Sequence, residues 1–127
     1  MAAAGTLLDT KLPPLWSPSS INGQQIQADA DVEYLVDNGE ADIVCYLQHT
    51  YFNDCNPTDY PDVKDMQCSV NGALRDYPIK VENGVGHLYL KFTRAGKHRV
   101  CLAEKYVTIK VTEPRQDTTN ARVWNEV

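Results

Sequence analysis

The sequence predicts an all-β fold, a two-layer antiparallel sandwich of about seven to nine strands with an extended arm at each end. Three observations predict it. Short segments alternate apolar and polar residues, most plainly between Gly84 and Val111. Asn-Gly dipeptides and other turn signals separate these segments at close spacing. No segment carries the i, i+3, i+4 stripe of an amphipathic helix.

Residues 1–20 contain Pro13, Pro14 and Pro18 without periodicity and read as an extended N-terminal arm. Residues 21–113 make the sandwich and residues 114–127 a polar C-terminal tail. Within the sandwich, Ile21–Gln27 reads as the first strand and Val32–Val36 as the second, followed by a turn at Asp37-Asn38-Gly39. Ala41–Gln48 is nearly continuous in apolar character, which places it centrally. His49–Asp65, with two prolines and several Asp, reads as a long loop. Strands at Met66–Val70 and Leu74–Val81 flank Asn71-Gly72, and Asn83-Gly84 makes a third such turn. In His87–Thr93, Leu88, Leu90 and Phe92 share one face and His87, Tyr89 and Lys91 the other. After a corner at Arg94–Lys97, His98–Ala103 points Val100 and Leu102 inward, and Tyr106–Thr112 does the same with Val107, Ile109 and Val111.

Composition bounds the function. A chain of 127 residues is one domain, able to bury a core without metal or disulfides. A net charge of -5 argues against binding the nucleic-acid backbone. No apolar run has the length of a membrane span. The start, MAAAGTLLDTKLPPLW, lacks the charged and apolar regions of a secretory leader, so synthesis in a host cytoplasm is expected. Cys45, Cys55, Cys68 and Cys101 allow three pairings; they are candidates for disulfides or inter-subunit thiols, and separate thiols are the default in a cytosol. Cys45, His49, Cys55 and Cys68 are metal-ligating types, but without a CxxC pair they predict no metal site.

The run Gly84–Val100 (GVGHLYLKFTRAGKHRV) resembles the bacterial and phage Ig-like domains, which show a glycine, a strand with alternating apolar residues, an Ala-Gly corner and a second alternating strand. The resemblance implies an Ig-like antiparallel β-sandwich. It is less similar to an antibody-type domain. Laid on that pattern, His98 takes the place of the corner tyrosine and Val100 that of the second core cysteine. Cys101 then falls one residue late and faces away from the core, so a Cys45–Cys101 bridge is not expected.

Catalytic fingerprints are missing: there is no Gly-x-Ser-x-Gly, phosphate-binding loop, His-Glu-x-x-His or dinucleotide motif. No catalytic residue, enzyme activity or cofactor is therefore expected. The acidic residues Asp29, Asp31, Asp37, Glu40 and Asp42 read as solvated charges before they read as a calcium site. Candidate partner-binding residues lie elsewhere. Leu7, Leu8, Leu12, Leu15 and Trp16 make the arm too apolar for a free linker, and Trp124 stands in the polar tail. Tyr51, Phe52 and Tyr60 make an aromatic patch in the long loop. These features, with the resemblance, lead to the expectation of a structural protein of a virus particle, a capsid-decorating or tail-associated protein of a phage held by its terminal arms. Its partners would be viral structural proteins or copies of itself in a multi-copy assembly, with no nucleic acid and no membrane span. The alternative expectation is a secreted or cell-surface Ig-like module that binds carbohydrate or protein through residues 49–65.

Overall fold

A computed structural model describes residues 15–27, 31–48, 65–113 and 123–127. These residues form eleven strand segments: β1 (Leu15–Ile21), β2 (Gln24–Gln25), β3 (Glu33–Val36), β4 (Glu40–Gln48), β5 (Asp65–Val70), β6 (Ala73–Pro78), β7 (Lys80–Glu82), β8 (Val85–Lys91), β9 (Gly96–Leu102), β10 (Lys105–Val111) and β11 (Asn125–Glu126). Setting aside the two-residue β2 and β11, the sandwich has the expected number of strands. One sheet runs β11-β8-β4-β1-β2, with β7 also on β8; the other runs β3-β10-β9-β5-β6. Pairing is antiparallel except where β3 joins β10 and β11 joins β8. The order β7-β8-β4-β1 against β10-β9-β5-β6 is the D-E-B-A against G-F-C connectivity of an immunoglobulin-type sandwich, with one added strand beside C.

The strand interiors follow the alternation. In β8, Leu88 and Leu90 are fully buried; in β9 so are Val100 and Leu102; in β10 Ile109 is fully buried, with Val107 and Val111 almost as enclosed. Ile43 and Cys45 of β4 face Met66, Cys68 and Val70 of β5 in the same core. The buried Tyr34 is satisfied at its polar end: its hydroxyl accepts from the Gln27 N–H at 2.9 Å and donates to the Gln25 carbonyl at 3.2 Å. This ties the segment after β2 to β3.

The turns come from Asn-Gly chemistry. Asn71-Gly72 and Asn83-Gly84 have positive φ at both residues and close the β5–β6 and β7–β8 hairpins. Asn38-Gly39 also has positive φ but carries the chain from one sheet to the other.

Four expectations need correction. Ile21–Gln27 is not one strand: Asn22 and Gly23, at φ 49° and 84°, turn the chain between β1 and β2. Leu74–Val81 is not one strand either. It breaks after Pro78, which cannot donate to a ladder, and β6 and β7 belong to different sheets, with Ile79 buried at the crossing. The arm ends sooner than residue 20, because Leu15–Ile21 is a strand paired along β4. Its Pro18 sits where the register slips, on the stretch of β1 that no other strand borders; an edge bulge is where a strand tolerates proline. Tyr89, expected on the solvent side, is 3% exposed because the returning C-terminal segment covers it.

The β8–β9 corner is held by a histidine. His98 lies two residues before Val100, and its Nε2 donates to the Arg94 carbonyl at 2.9 Å. Its Nδ1 accepts from the Asn71 side-chain amide at 3.0 Å, since the Asn71 Oδ1 is already taken by the Arg99 N–H at 2.9 Å. A tyrosine hydroxyl bonded a few residues upstream does this work in antibody-type domains. Here an imidazole does it, and it also links the β5–β6 turn to β9.

Candidate interaction surface

The expected anchors are not where an arm would carry them. Trp16 is 3% exposed and belongs to the core. Room for it comes from Gly86 on β8, where a Cβ would stand 2.6 Å from the Trp16 ring and 2.8 Å from Ile79. The energetics favour this arrangement. Enclosing about 200 Å² of indole at about 25 cal/mol per Å² contributes roughly 5 kcal/mol. Leaving Nε1 without a hydrogen-bond partner, as here, costs about 1–3 kcal/mol. Trp124 also lies on its own sandwich. Its ring is edge-on to Tyr89 at 5.3 Å between centroids, beside the pairing of Asn125 and Glu126 with β8. The Asn125 amide donates to the Tyr89 carbonyl at 2.9 Å and Val127 N–H to the Lys91 carbonyl at 3.0 Å. Leu15 begins β1. Leu7, Leu8, Leu12, Tyr51, Phe52, Tyr60 and Cys55 lie outside the described residues.

The outer face of the six-stranded sheet carries a polar cluster. His87 Nδ1 meets Asp42 Oδ1 at 2.9 Å, Glu82 Oε2 lies 3.6 Å from Nε2, and the Tyr89 hydroxyl donates to the same Glu82 oxygen at 3.3 Å. The rings of His87 and Tyr89 stack at 5.7 Å. Strand register brings the pair together: Val44 opposes His87 and Asp42 opposes Tyr89, so Asp42 and His87 are diagonal neighbours on one face. The sequence offers no signal for a contact between residues so far apart. Among the described residues, no group of three or more His, Cys, Asp or Glu has the geometry to hold a metal ion.

The outer face of the five-stranded sheet differs. Tyr106, Cys101, Ser69 and Leu74 oppose one another in a single row across β10, β9, β5 and β6. Tyr106 is 56% exposed and Leu74 62%. Leu35 projects from β3 on the same side, exposed between the buried Tyr34 and Val36. Cys101 is half-buried between the enclosed Val100 and Leu102, as its one-residue offset from Val100 requires. Charged pairs border the row on one side. Lys97 pairs with Glu33, and Arg99 reaches Asp31 at 3.4 Å while its guanidinium lies over the Tyr106 ring at 5.1 Å. An apolar strip beside paired charges is the anatomy of a protein interface. Leu35, Leu74 and Tyr106 were missed as candidates from sequence. Their signal is a large apolar residue in the outward slot of an alternating strand, visible only once the inward slots are known.

The other two thiols among the described residues are internal. Cys45 and Cys68 are free and buried, and Cys45 Sγ contacts Met66 Sδ at 3.8 Å. Burial pushes both thiols up to about 12, which keeps them protonated and unreactive.

No protein-family model, no curated protein and no solved structure matches this chain.

Proposed function

We propose that this chain is a non-enzymatic, protein-binding immunoglobulin-type domain that engages its partner through the outer face of the five-stranded sheet. The row Tyr106–Cys101–Ser69–Leu74 carries the reading, because it presents two large, more than half-exposed side chains on a rigid sheet. Each large apolar side chain removed from water contributes about 1.5–3 kcal/mol, and tyrosine is enriched among residues that dominate binding. The finer form of the proposal is a structural protein of a virus particle, on a phage capsid or tail, whose partners are viral structural proteins or further copies of this chain. Its support is the resemblance of Gly84–Val100 to the phage Ig-like domains. With Trp16 in the core, attachment passes to the sheet face, and repeated copies would add weak contacts into firm adhesion.

The test begins with the assembly that copurifies with the chain. Electron micrographs of it decide between a particle and a soluble complex. Binding of the isolated partner is then compared for the wild type and Leu74→Glu/Tyr106→Glu. A loss of about thirtyfold or more, equivalent to about 2 kcal/mol, is expected. Unchanged affinity in a folded double variant removes the sheet face from the proposal.

A further inference from the structure

Four Asn-Gly dipeptides punctuate the chain, at Asn22-Gly23, Asn38-Gly39, Asn71-Gly72 and Asn83-Gly84. All eight residues have positive φ, so the four share a local sequence and a backbone conformation. They differ in what holds the asparagine. Asn22 is tied to β4 at three atoms. Its N–H donates to the Asp42 carbonyl at 3.0 Å, its Nδ2 donates to the Glu40 carbonyl at 3.0 Å, and its Oδ1 accepts from the Asp42 N–H at 2.7 Å. Asn71 is tied to β9 in the same manner. Its N–H donates to the Arg99 carbonyl at 2.8 Å, its Oδ1 accepts from the Arg99 N–H at 2.9 Å, and its Nδ2 donates to His98 Nδ1 at 3.0 Å.

Asn38 is restrained differently. It is half-buried, and the Gly39 that follows is buried, with its carbonyl accepting from the Phe92 N–H at 2.7 Å. Asn83 has none of these restraints. It is exposed, and among the described residues no hydrogen bond reaches its side-chain amide. Exposure alone does not set it apart, because Asn22 and Asn71 are exposed as well. The freedom of its side chain does.

We propose that Asn83 is a site of spontaneous covalent modification, a hydrolytic deamidation that loosens β7 as the protein ages. Glycine has no Cβ to shield its own nitrogen, so an asparagine before it is open to attack from the following peptide. The Gly84 nitrogen, having given its proton to a solvent base, attacks the Asn83 side-chain carbonyl carbon. The new N–C bond forms as the bond from that carbon to Nδ2 breaks, and ammonia leaves with a proton from solvent. Water then opens the cyclic imide at either carbonyl, leaving an aspartate linked through its α- or its β-carboxyl. One water is consumed and one ammonia released.

The consequence follows from the hairpin. Glu82 and Val85 oppose each other across this two-residue turn, and β7 pairs with β8 alone. A β-linked product adds a main-chain carbon to a turn whose length sets the strand register. The new carboxylate also stands next to Glu82, which meets His87 at 3.6 Å and accepts from the Tyr89 hydroxyl at 3.3 Å. The site lies on the other sheet from the proposed docking face and is independent of it.

The test is storage of the whole folded chain at mildly alkaline pH, with the four asparagines followed by peptide mapping and mass spectrometry. Asn83 should convert fastest. Asn22 and Asn71 should each be at least about tenfold slower, the cost of freeing an amide held by two hydrogen bonds. In denaturant the four rates should converge, since the dipeptide is the same in each. The converted chain, separated by its added charge, should show faster hydrogen exchange at the Glu82 and Val85 amides than the fresh chain. The proposal is overturned if any of the other three asparagines converts as fast as Asn83 in the folded chain, if Asn83 keeps its lead in denaturant, or if the converted chain exchanges at Glu82 and Val85 as the fresh one does.

Discussion

On the outer side of the six-stranded sheet, Asp42, Glu82, His87 and Tyr89 contact one another, and Trp124 stands against Tyr89, which is 3% exposed. On the outer side of the five-stranded sheet, Tyr106 and Leu74 are 56% and 62% exposed, and Cys101 lies in the same row. Both sides are built by the same alternation of residues. What separates them is the sheet edge. β7 covers only the first half of β8, and the C-terminal segment pairs with the second half, which brings Trp124 over Tyr89. One apolar side chain in an outward slot is thus covered from within, and another is left for something else. The cover is local: Tyr46 of β4, on the same outer face but clear of the returning segment, stays 50% exposed.

The most severe way to break the first sheet is from its inner side. Gly86→Ala places a methyl group 2.6 Å from the Trp16 ring and 2.8 Å from Ile79, and neither can retreat within a filled core. A loss of about 3 kcal/mol in denaturant-induced unfolding is expected. Trp16→Leu should recover part of that loss in the double variant, an interaction energy of about 1 kcal/mol or more. Simple additivity of the two substitutions would mean that the indole does not lie over Gly86.

Trp124→Ala tests whether the C-terminal return closes that sheet. Removing a half-buried indole should cost about 2 kcal/mol, and the Leu90 and Lys91 region should lose protection against hydrogen exchange as β11 detaches. A stability change below about 0.5 kcal/mol would place Trp124 with the surface residues and return it to a partner-binding role.

The thiols compare the interior with the open face. Cys45 and Cys68 are pushed from 9.0 to about 12 by burial. Above pH 9 the unfolded chain releases these protons and the folded chain retains them, so stability falls as pH rises from 9 toward 12. The slope is about 1.4 kcal/mol per pH unit for each thiol. Below pH 9 they contribute no slope. Cys45→Ala/Cys68→Ala should flatten the alkaline limb, whatever it does to baseline stability. A limb as steep as that of the wild type would assign the loss to other groups. Native-state alkylation should modify Cys101 and leave Cys45 and Cys68 untouched until unfolding.

The regions that were legible in sequence are those whose structure is locally determined. β8, β9 and β10 show their inward residues by alternation, and Asn38-Gly39, Asn71-Gly72 and Asn83-Gly84 announce their turns. The β9–β10 hairpin turns at Ala103 and Glu104, at φ 46° and 68°, without any glycine or asparagine, so tertiary pairing holds two residues in a conformation their side chains disfavour. Trp16 was misplaced because its position depends on a glycine in β8, and the proline pattern around it describes a bulged edge strand as well as an arm. A glycine inside an otherwise apolar strand does signal close approach by another group, but it does not say which. The exposed row of the five-stranded sheet was hidden for a related reason. Leu35, Leu74 and Tyr106 look like core residues until register assigns them outward.

The smallest effect is expected where the proposed function is concentrated. Leu74→Lys and Tyr106→Lys remove apolar groups that are already more than half in water, so loss of burial alone should change unfolding free energy by no more than about 0.5 kcal/mol in each. Tyr106→Lys also removes the ring beneath the Arg99 guanidinium, an exposed contact of about 0.5–1 kcal/mol, so its total is expected to reach about 1 kcal/mol. The sharpest comparison is with Tyr89→Lys on the other sheet, which would place a charge beneath Trp124 and should destabilise the fold by several times as much. If Tyr106→Lys proves as damaging as Tyr89→Lys, the two faces are equally closed by the chain itself, and the five-stranded sheet is not an open docking surface.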